Sequence, residues 1–530
     1  MKFRSLSLHV ISFLVILLSA TSCKDDWNDH YYSEAVGKSN LNLYSYIANH
    51  PELNLSKFAE LLRIAGYDSV LSKSQALTVW APNDSALTVL PVDRADSDMV
   101  RKFVANHITE FLHSTSGVVN DTLTMRNNKL ILFSKSNNSS FTLGGKMLQK
   151  SDIVTSNGIL HVLKDYIPYK ANLWEYLSYT KKQSTGLDSL NSYLSGLNLK
   201  TLDKSKSYSN GVFIDSVFTY SNKALNRLGA LNTEDSLYTM VMPNNQAWVD
   251  AYNRIKPYYI TTSADGGTSA QDYNTRWTIV QDLVYRQSTP ITQDSVYSST
   301  GNQLSNMLTV VNGVQPVSLS NGFGYTVSQL NIKPTDSWYK EIRVEAETDT
   351  LRNPNVPTAT TTITAIQKLS GLNTGFSISN GYYINAVANT SGTPTLEFKI
   401  PNTLSAKYNI YCVFVPNTII ETKSKPSKVK FNLLYSDVNG NIITKGIAAD
   451  NTPTTALAAA TFTTTPLVMT KMLVAKNFTF PCSNIVNVKD LKMAKKTSVT
   501  LRLLSAVSSS TDPTYNRNML VDCIILEPVP

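Results

Sequence analysis

The sequence predicts a multi-domain chain, two α+β modules followed by an all-β sandwich, and three observations carry that prediction. A single hydrophobic core stops growing beyond ~250–300 residues, and this chain has 530. Two short segments recur in the same order and at nearly the same separation within the first 330 residues. From about residue 338 onward the character changes: there is no histidine, and β-like runs alternate with clusters of Asn, Gly, Pro and Ser.

The first recurring segment is Thr78-Val79-Trp80-Ala81-Pro82-Asn83-Asp84-Ser85-Ala86, matched by Thr239-Met240-Val241-Met242-Pro243-Asn244-Asn245-Gln246-Ala247. The second is Ser156-Asn157-Gly158, matched by Ser320-Asn321-Gly322. From Pro to Asn the spacing is 75 residues in one copy and 78 in the other. Asn42-Leu43-Tyr44 and Asn172-Leu173-Trp174 open the copies, so three landmarks fall in one order and imply an internal duplication. An apolar run ending in Pro, then Asn-Asp or Asn-Asn, reads as a strand that stops where Pro removes a ladder donor and a side chain caps a following helix. Ser-Asn-Gly before alternating apolar residues reads as a turn feeding a strand. Both motifs build fold, and neither carries a nucleophile, a metal cluster or a phosphate cradle.

At these residues the chain resembles the fasciclin (FAS1) family. Thr78 to Ala86 is similar to its first signature segment, and Asn157 to Val162 with Asp165 to its second. Between them Asn106-His107-Ile108 stands where the family shows Tyr-His and an apolar residue, so His107 matches and Asn106 departs. The second copy has Tyr325-Thr326 where the first has His161-Val162, no histidine near Leu283-Val284-Tyr285, and about 30 extra residues before its Pro. The resemblance implies β-wedge and helix domains used in extracellular adhesion and binding. A binding role tied to the Tyr-His segment has half its residues in one copy and none in the other.

Lys2 and Arg4 precede an apolar run from Leu6 to Leu18, too short to span a bilayer and laid out like a secretory signal. Ala20-Thr21-Ser22-Cys23 resembles a bacterial lipobox, which implies cleavage before Cys23 and acylation of that cysteine. Lys24-Asp25-Asp26 resembles the export tag of Bacteroidetes-type lipoproteins sent to the outer face of the outer membrane. The expected localisation is therefore a lipid-anchored, surface-exposed outer-membrane protein. The domain plan is a signal peptide at 1–22, an anchor and tether at 23–37, fasciclin-like domains at 38–170 and 171–336, and a sandwich at 337–530. The Pro334-Thr335-Asp336 turn suits a short linker, while Trp338 and Tyr339 suit rigid docking of the sandwich onto the second module.

Without Lys2 and Arg4 the chain carries 46 basic and 39 acidic residues, a mild excess of +7 for its size. Lysines gather at Lys423 to Lys430 and Lys489 to Lys496, which suits either an acidic polysaccharide or solvated loops. No nucleic-acid recognition motif is present, and none is expected outside the cell. The tripeptide Asp-Ser/Thr-apolar begins at eight positions, among them Asp84 and Asp188, and resembles a bacterial O-glycosylation acceptor; Asp-Ser turns account for it equally well. With Cys23 acylated, Cys412, Cys482 and Cys523 remain, so at most one disulfide can form. Cys412 and Cys523 sit in strand-like runs and read as buried thiols.

Within the last region, Ile342-Arg343-Val344-Glu345-Ala346-Glu347, the runs Thr395 to Pro401 and Lys407 to Val415, and Val521 to Leu526 resemble the first, central and last strands of jelly-roll carbohydrate-binding modules. Glu345 and Glu347 alternate on a strand and so share a face. The resemblance implies that such a pair helps hold a structural calcium ion; two solvated acids at a sheet edge is the simpler account. Tyr382 and Tyr383 offer rings to a sugar, or else serve as core or edge tyrosines.

The mature chain has five histidines, His30, His50, His107, His113 and His161, and no Gly-x-Ser-x-Gly, His-Glu-x-x-His, Walker loop or paired-cysteine site. His107 and His113, six apart on an expected helix, would not share a face as zinc ligands do. A glycoside hydrolase needs only two spaced carboxylates, yet nothing marks such a pair. The expected function is non-catalytic ligand binding at the cell surface, as glycan or nutrient capture beside a TonB-dependent transporter. Adhesion or matrix binding is the alternative.

Overall fold

The structure, a computed structural model, describes residues 39–89, 92–118, 120–136, 140–179, 186–353, 361–367, 375–389, 393–422, 424–485, 499–508 and 511–530. Cys23, Lys24, Asp25 and Asp26, and the lysines of 489–496, lie outside the described residues. No helix among the described residues is long and apolar enough to cross a membrane. The chain divides into two compact units, one running to Asn172 with Thr233–Asp235, the other comprising Leu173–Asn232 and Ser236–Pro530.

The first unit opens with helices α1 (Leu43–Asn49), α2 (Ser56–Ile64) and α3 (Tyr67–Leu71), and α4 (Ser97–Ala105) follows strand β1 (Leu77–Pro82). Its other strands are β2 (Ile108–Glu110), β3 (Asn120–Thr124), β4 (Leu130–Lys135), β5 (Phe141–Leu143), β6 (Lys146–Thr155) and β7 (Gly158–Leu163). They form one sheet in the order β2-β1-β7-β6-β5-β4-β3. β1 and β7 run parallel, with Trp80 opposite His161. Both strands are buried along their whole length, which is why their sequences read as continuous apolar runs rather than alternating ones. Alternation still sorts the side chains: Leu77, Val79 and Ala81 join the helix-side core, and Trp80 joins Phe133 and Leu143 on the hairpin side. α2 presents Phe58, Leu61 and Leu62 to that core and α4 presents Val100, Phe103 and Val104, each at i, i+3, i+4.

The second unit begins with the second copy. Its longer helices are α5 (Leu173–Tyr179), α6 (Asp188–Gly196), α7 (Lys223–Leu228), α8 (Asn245–Ile255) and α9 (Gly267–Val280), with single turns at Lys204–Ser207 and Met307–Val310. Between α6 and α7 stands a hairpin of β8 (Asn198–Leu202) and β9 (Phe218–Asn222), where the first copy has only Ala65-Gly66 between α2 and α3. β10 (Tyr238–Pro243), β11 (Val284–Tyr285), β12 (Val317–Leu319) and β13 (Gly322–Val327) form a sheet in the order β11-β10-β13-β12. β10 and β13 repeat the parallel pair of β1 and β7, with Val241 opposite Tyr325.

The sandwich has two antiparallel sheets of six described strands each. Its strands are β14 (Ile342–Glu345), β15 (Thr361–Gln367), β16 (Tyr382–Ala388), β17 (Thr395–Lys399), β18 (Lys407–Phe414) and β19 (Lys428–Ser436), then β20 (Ile442–Ile447), β21 (Pro453–Thr454), β22 (Phe462–Thr463), β23 (Thr470–Thr479), β24 (Thr500–Ser505) and β25 (Met519–Pro528). One sheet runs β15-β16-β25-β18-β23 with β14 also on β25, the other β17-β24-β19-β20-β21 with β22 on β19. Phe414 of one sheet meets Phe431 of the other edge to face, with ring centroids 6.4 Å apart. Cys412, Cys482 and Cys523 are free, buried thiols, and burial pushes all three thiol pKa values up.

Of the two roles open to residues 334–339, the structure shows docking. Pro334–Asp336 is a turn of 3₁₀-helix. Tyr339, 1% exposed, sits between Tyr258 of the second copy at 5.3 Å and Tyr408 of the sandwich at 5.3 Å. Its hydroxyl donates to the Lys407 carbonyl and accepts from the Val529 amide. Backbone bonds from Ser405 N to Tyr258 O, 2.9 Å, and Ser483 N to Ile260 O, 2.7 Å, complete the seam. One continuous hydrophobic core therefore runs through both halves of the second unit.

Candidate cation and ligand site

The duplicated landmarks converge on one junction in each copy. Asn157 Oδ1 accepts from Leu43 N at 2.8 Å, and Asn321 Oδ1 accepts from Leu173 N at 2.8 Å. Their amides donate to Leu71 O and Leu231 O respectively. A β-carbon on Gly158 would overlap the Leu77 carbonyl oxygen, and one on Gly322 the Tyr238 carbonyl oxygen. Gly322 also holds φ at +138°, so glycine is required there on both counts. Asp84 Oδ1 accepts from Lys57 N at 2.8 Å and Asn245 Oδ1 from Ser189 N at 2.9 Å, capping α2 and α6, whose own N-cap residues Leu55 and Leu187 have no capping group. The expectation that the Asn pair caps a following helix is thus corrected. Asn244 does cap α8 through Ala247 N, but the matching bond from Ala86 N to Asn83 closes only a turn, and the second residue of each pair caps an earlier helix.

The histidines belong to this scaffold. His107 is fully buried, its Nδ1 donating to Phe103 O at 2.9 Å and its Nε2 accepting from Ile167 N at 3.0 Å. Those partners demand the neutral ring, and burial holds its pKa down at about 4 despite the Phe103 bond. His107 and His113 do not share a helix as expected: α4 ends at Ala105, and His113 follows β2. His161 stacks on Trp80 at 5.5 Å and donates to His113 O.

A different chemistry gathers in the sandwich. β16 pairs with β25 at Met519 to Val521 and β14 pairs with it at Cys523 to Leu526, leaving Asp522 at the gap between them. Over that gap lies the turn Ser379-Asn380-Gly381, with Asn380 at φ 50°. Three carboxylates grip the turn. Asp522 accepts from Ser379 N at 3.0 Å, Glu345 from Ser379 Oγ at 2.7 Å, and Glu347 from Asn380 Nδ2 at 2.9 Å. Glu345 ends β14 and Glu347 lies in the turn beyond it, so the two reach one place without sharing the strand that alternation predicts. Among the described residues, Glu345 Oε2 and Glu347 Oε2 are buried with no hydrogen-bond partner.

Burial and the nearby charges of Glu345 and Glu347 push Asp522 up to about 7, against the Ser379 bond and Arg343. Ligand atoms of Glu345, Asp522 and Cys523 lie within 4.8 Å of one another. The Cys523 thiol is pushed up to about 12 by burial and Asp522, so it stays protonated and offers no soft thiolate. Orphaned buried carboxylate oxygens around a backbone turn fit a hard cation such as calcium. Asp522 escaped sequence reasoning, although an acid inside the apolar run Leu520 to Leu526 is the signal that could have found it.

Of the two tyrosines singled out, β16 turns one outward and the other inward, as strand alternation requires. Tyr382, next to the gripped turn, is 39% exposed, whereas Tyr383 is 0% exposed and packs with Val415, Ile419 and Leu520. Tyr383 is therefore a core residue and cannot present its ring to a ligand.

Residues 53–168 match the model of the Fasciclin domain. The fasciclin domain thus accounts for most of the first unit. No curated protein matches the chain. Among solved structures, a FAS1 domain pair from the insect cell adhesion molecule Fasciclin I aligns at 12% identity over 54% of this chain and 99% of its own, with a TM-score of 0.22. A C-terminal family 22 carbohydrate-binding module of Clostridium thermocellum aligns at 12% identity over 36% of this chain and 94% of its own, TM-score 0.21. A family 11 module from Clostridium thermocellum, in complex with a β-1,3-1,4-mixed-linked tetrasaccharide, aligns at 10% identity over 36% and 96%, TM-score 0.16. At these scores the functional reading rests on the chain's own residues.

Proposed function

We propose that this chain is a non-catalytic, surface-exposed outer-membrane lipoprotein that captures an extracellular glycan through its sandwich, beside a TonB-dependent transporter. The observation that supports it best is the Ser379–Gly381 turn, gripped by three carboxylates and leading straight into the exposed ring of Tyr382. A pyranose has a flat face of C–H groups that packs on such a ring while its hydroxyls stay hydrogen-bonded. A calcium ion held by Glu345, Glu347 and Asp522 would offset their mutual repulsion and fix the turn. In this reading Cys23 carries the acyl chains, Lys24, Asp25 and Asp26 direct export, the second copy is a divergent fasciclin-like domain, and the sandwich is jelly-roll-like.

Affinity electrophoresis of the full chain through gels containing neutral and acidic polysaccharides tests the reading. Retardation by at least one neutral polymer, lost in Tyr382→Ala, is the expected result, and free migration of the parent chain through every gel overturns glycan capture. The cation has its own readout. Because Asp522 is held near 7 when folded against ~3.9 when unfolded, the folded state binds the extra proton between those values, and stability falls as pH rises through that window. Calcium should raise the unfolding temperature above pH 7, and Asp522→Asn should abolish that rise. The fasciclin domain at 53–168 favours adhesion as the second reading, and retention of the chain on host matrix rather than on any glycan would select it.

A further inference from the structure

The second unit holds a cleft apart from the sandwich turn, at the place where the two copies differ most; its lining at Asp188 and Ser189 adjoins the repeated junction, where Asn245 bonds both. The β8–β9 hairpin, inserted between α6 and α7, stands beside it. A hollow of about 550 Å³ is lined by Asp188, Ser189, Ser192, Tyr193, Trp248 and Arg276. A second, of about 220 Å³, shares Leu197 with the first and is lined by Lys223, Arg227, Tyr273 and Trp277. Burial pushes the Tyr193 phenol up to about 12, with Tyr273, Arg227, Arg276 and Asp272 in electrostatic reach, so the two hollows share one set of charges and rings.

Arg227 decides the chemistry. Its guanidinium lies 3.5 Å from the centroid of the Trp277 ring. Arg276 is paired with Asp272 at 2.9 Å, but among the described residues Arg227 and Lys223 have no carboxylate partner. A guanidinium held over an indole loses rotamer freedom, and its N–H groups can still chelate a carboxylate. Tyr273, 47% exposed, provides an aromatic ring beside that fork. Two unpaired cations on an aromatic wall, opening into a hollow with hydroxyl and carboxylate groups at its other end, complement a ring that bears one carboxylate and several hydroxyls.

We propose that this cleft binds a hexuronate residue of an acidic polysaccharide, with the carboxylate on Arg227 and Lys223 and the neighbouring sugar along the half-buried Tyr193. Serine hydroxyls and Asp188 at that end are suited to sugar hydroxyls rather than to a second anion. The site is separate from Tyr382 and its carboxylate turn, so capture by the sandwich and capture here fail independently.

Calorimetric titration of the full chain with oligomers of galacturonate, glucuronate and mannuronate, and with a neutral hexose oligomer of equal length, tests this. One uronate oligomer should bind at least tenfold more tightly than the neutral one. Arg227→Gln should weaken that binding by ~10-fold or more, the loss of a charge-assisted bidentate contact, and Arg227→Lys should restore only part of it. Tyr382→Ala should leave uronate affinity unchanged. The proposal is overturned if none of the three uronates binds, if Arg227→Gln binds them as the parent does, or if oligo-glutamate competes as well as the uronate, which would make the cleft a docking site for acidic peptide. Loss in Tyr382→Ala without loss in Arg227→Gln would return acidic-glycan binding to the sandwich. An unchanged unfolding temperature in Arg227→Gln, an exposed position, separates lost binding from lost fold.

Discussion

The first copy and the second keep the same junction and differ in nearly everything around it. Asn157 and Asn321, and Asp84 and Asn245, make the same bonds to corresponding positions, and neither Gly158 nor Gly322 has room for a β-carbon. Away from the junction the first copy fills its core with histidine. His107 O accepts from Trp80 N, and at the corresponding bond Leu283 O accepts from Val241 N, so a leucine occupies the histidine's place. His161 gives way to Tyr325, whose hydroxyl accepts from Ile291 N at 3.0 Å. The second copy then adds the β8–β9 hairpin and its cleft. The residues that repeat are those that solve a backbone problem, and the residues free to change are those that fill space, which is where a new site can arise.

The comparison breaks most readily at the glycines. Gly322→Ala puts a β-carbon into the Tyr238 carbonyl and forces an alanine to hold a φ of +138°. We expect a cost of ~4 kcal/mol or more, seen as loss of the second unit's thermal transition. Gly158→Ala meets the Leu77 carbonyl and the Leu43 side chain, and should damage the first unit alone. Tolerance at either position would mean that the two junctions are not equivalent.

Acid should sharpen the difference. With His107 near 4 when folded and ~6.5 when unfolded, the unfolded chain binds the extra proton between those values. Stability is full above about 6.5 and is lost as pH falls toward 4, by on the order of 3 kcal/mol for this one group. His161 adds to the same trend, since burial lowers it too. Calorimetry from pH 7.5 to 4.5 should show the fasciclin domain's transition moving down, and His107→Leu, which copies Leu283, should flatten that slope. An unchanged slope in His107→Leu would place the acid sensitivity elsewhere.

Much of this was legible in the sequence because it is local or repeated. The duplication, the strand ending at Pro82, the fasciclin resemblance later matched over 53–168 and the β-rich final region all follow from runs of adjacent residues. What escaped was nonlocal. Nothing near Asp84 in sequence shows that its carboxylate serves a helix starting 28 residues earlier. Glu345 and Glu347 were visible as a pair, but Asp522 joins them only because β25 lies beside β14. Tyr382 and Tyr383 were indistinguishable until strand alternation was given a buried side. The cleft had no sequence signal at all, because Arg227 and Trp277 come from helices 50 residues apart in the chain.

The smallest effect asks how deeply each junction is sealed. Asn157 and Asn321 each accept from the first amide of a helix and donate to a carbonyl across the turn. Alanine leaves those groups without their partners, and the cost depends on whether water can replace the side chain. Asn321 is wholly buried, whereas Asn157 is partly exposed, and its bond to Lys73 O lies at the surface. We therefore expect ~2 kcal/mol for Asn321→Ala and about half that for Asn157→Ala, measured by denaturant unfolding of the full chain. Asn321→Asp should cost more than Asn321→Ala, because it removes the donor to Leu231 O and adds a charge at a wholly buried position. The same exchange at Asn157 should be milder, since solvent reaches that carboxylate. If the two Asp variants cost the same, the second junction is as open to water as the first, and the contrast between a sealed copy and a solvated one does not hold.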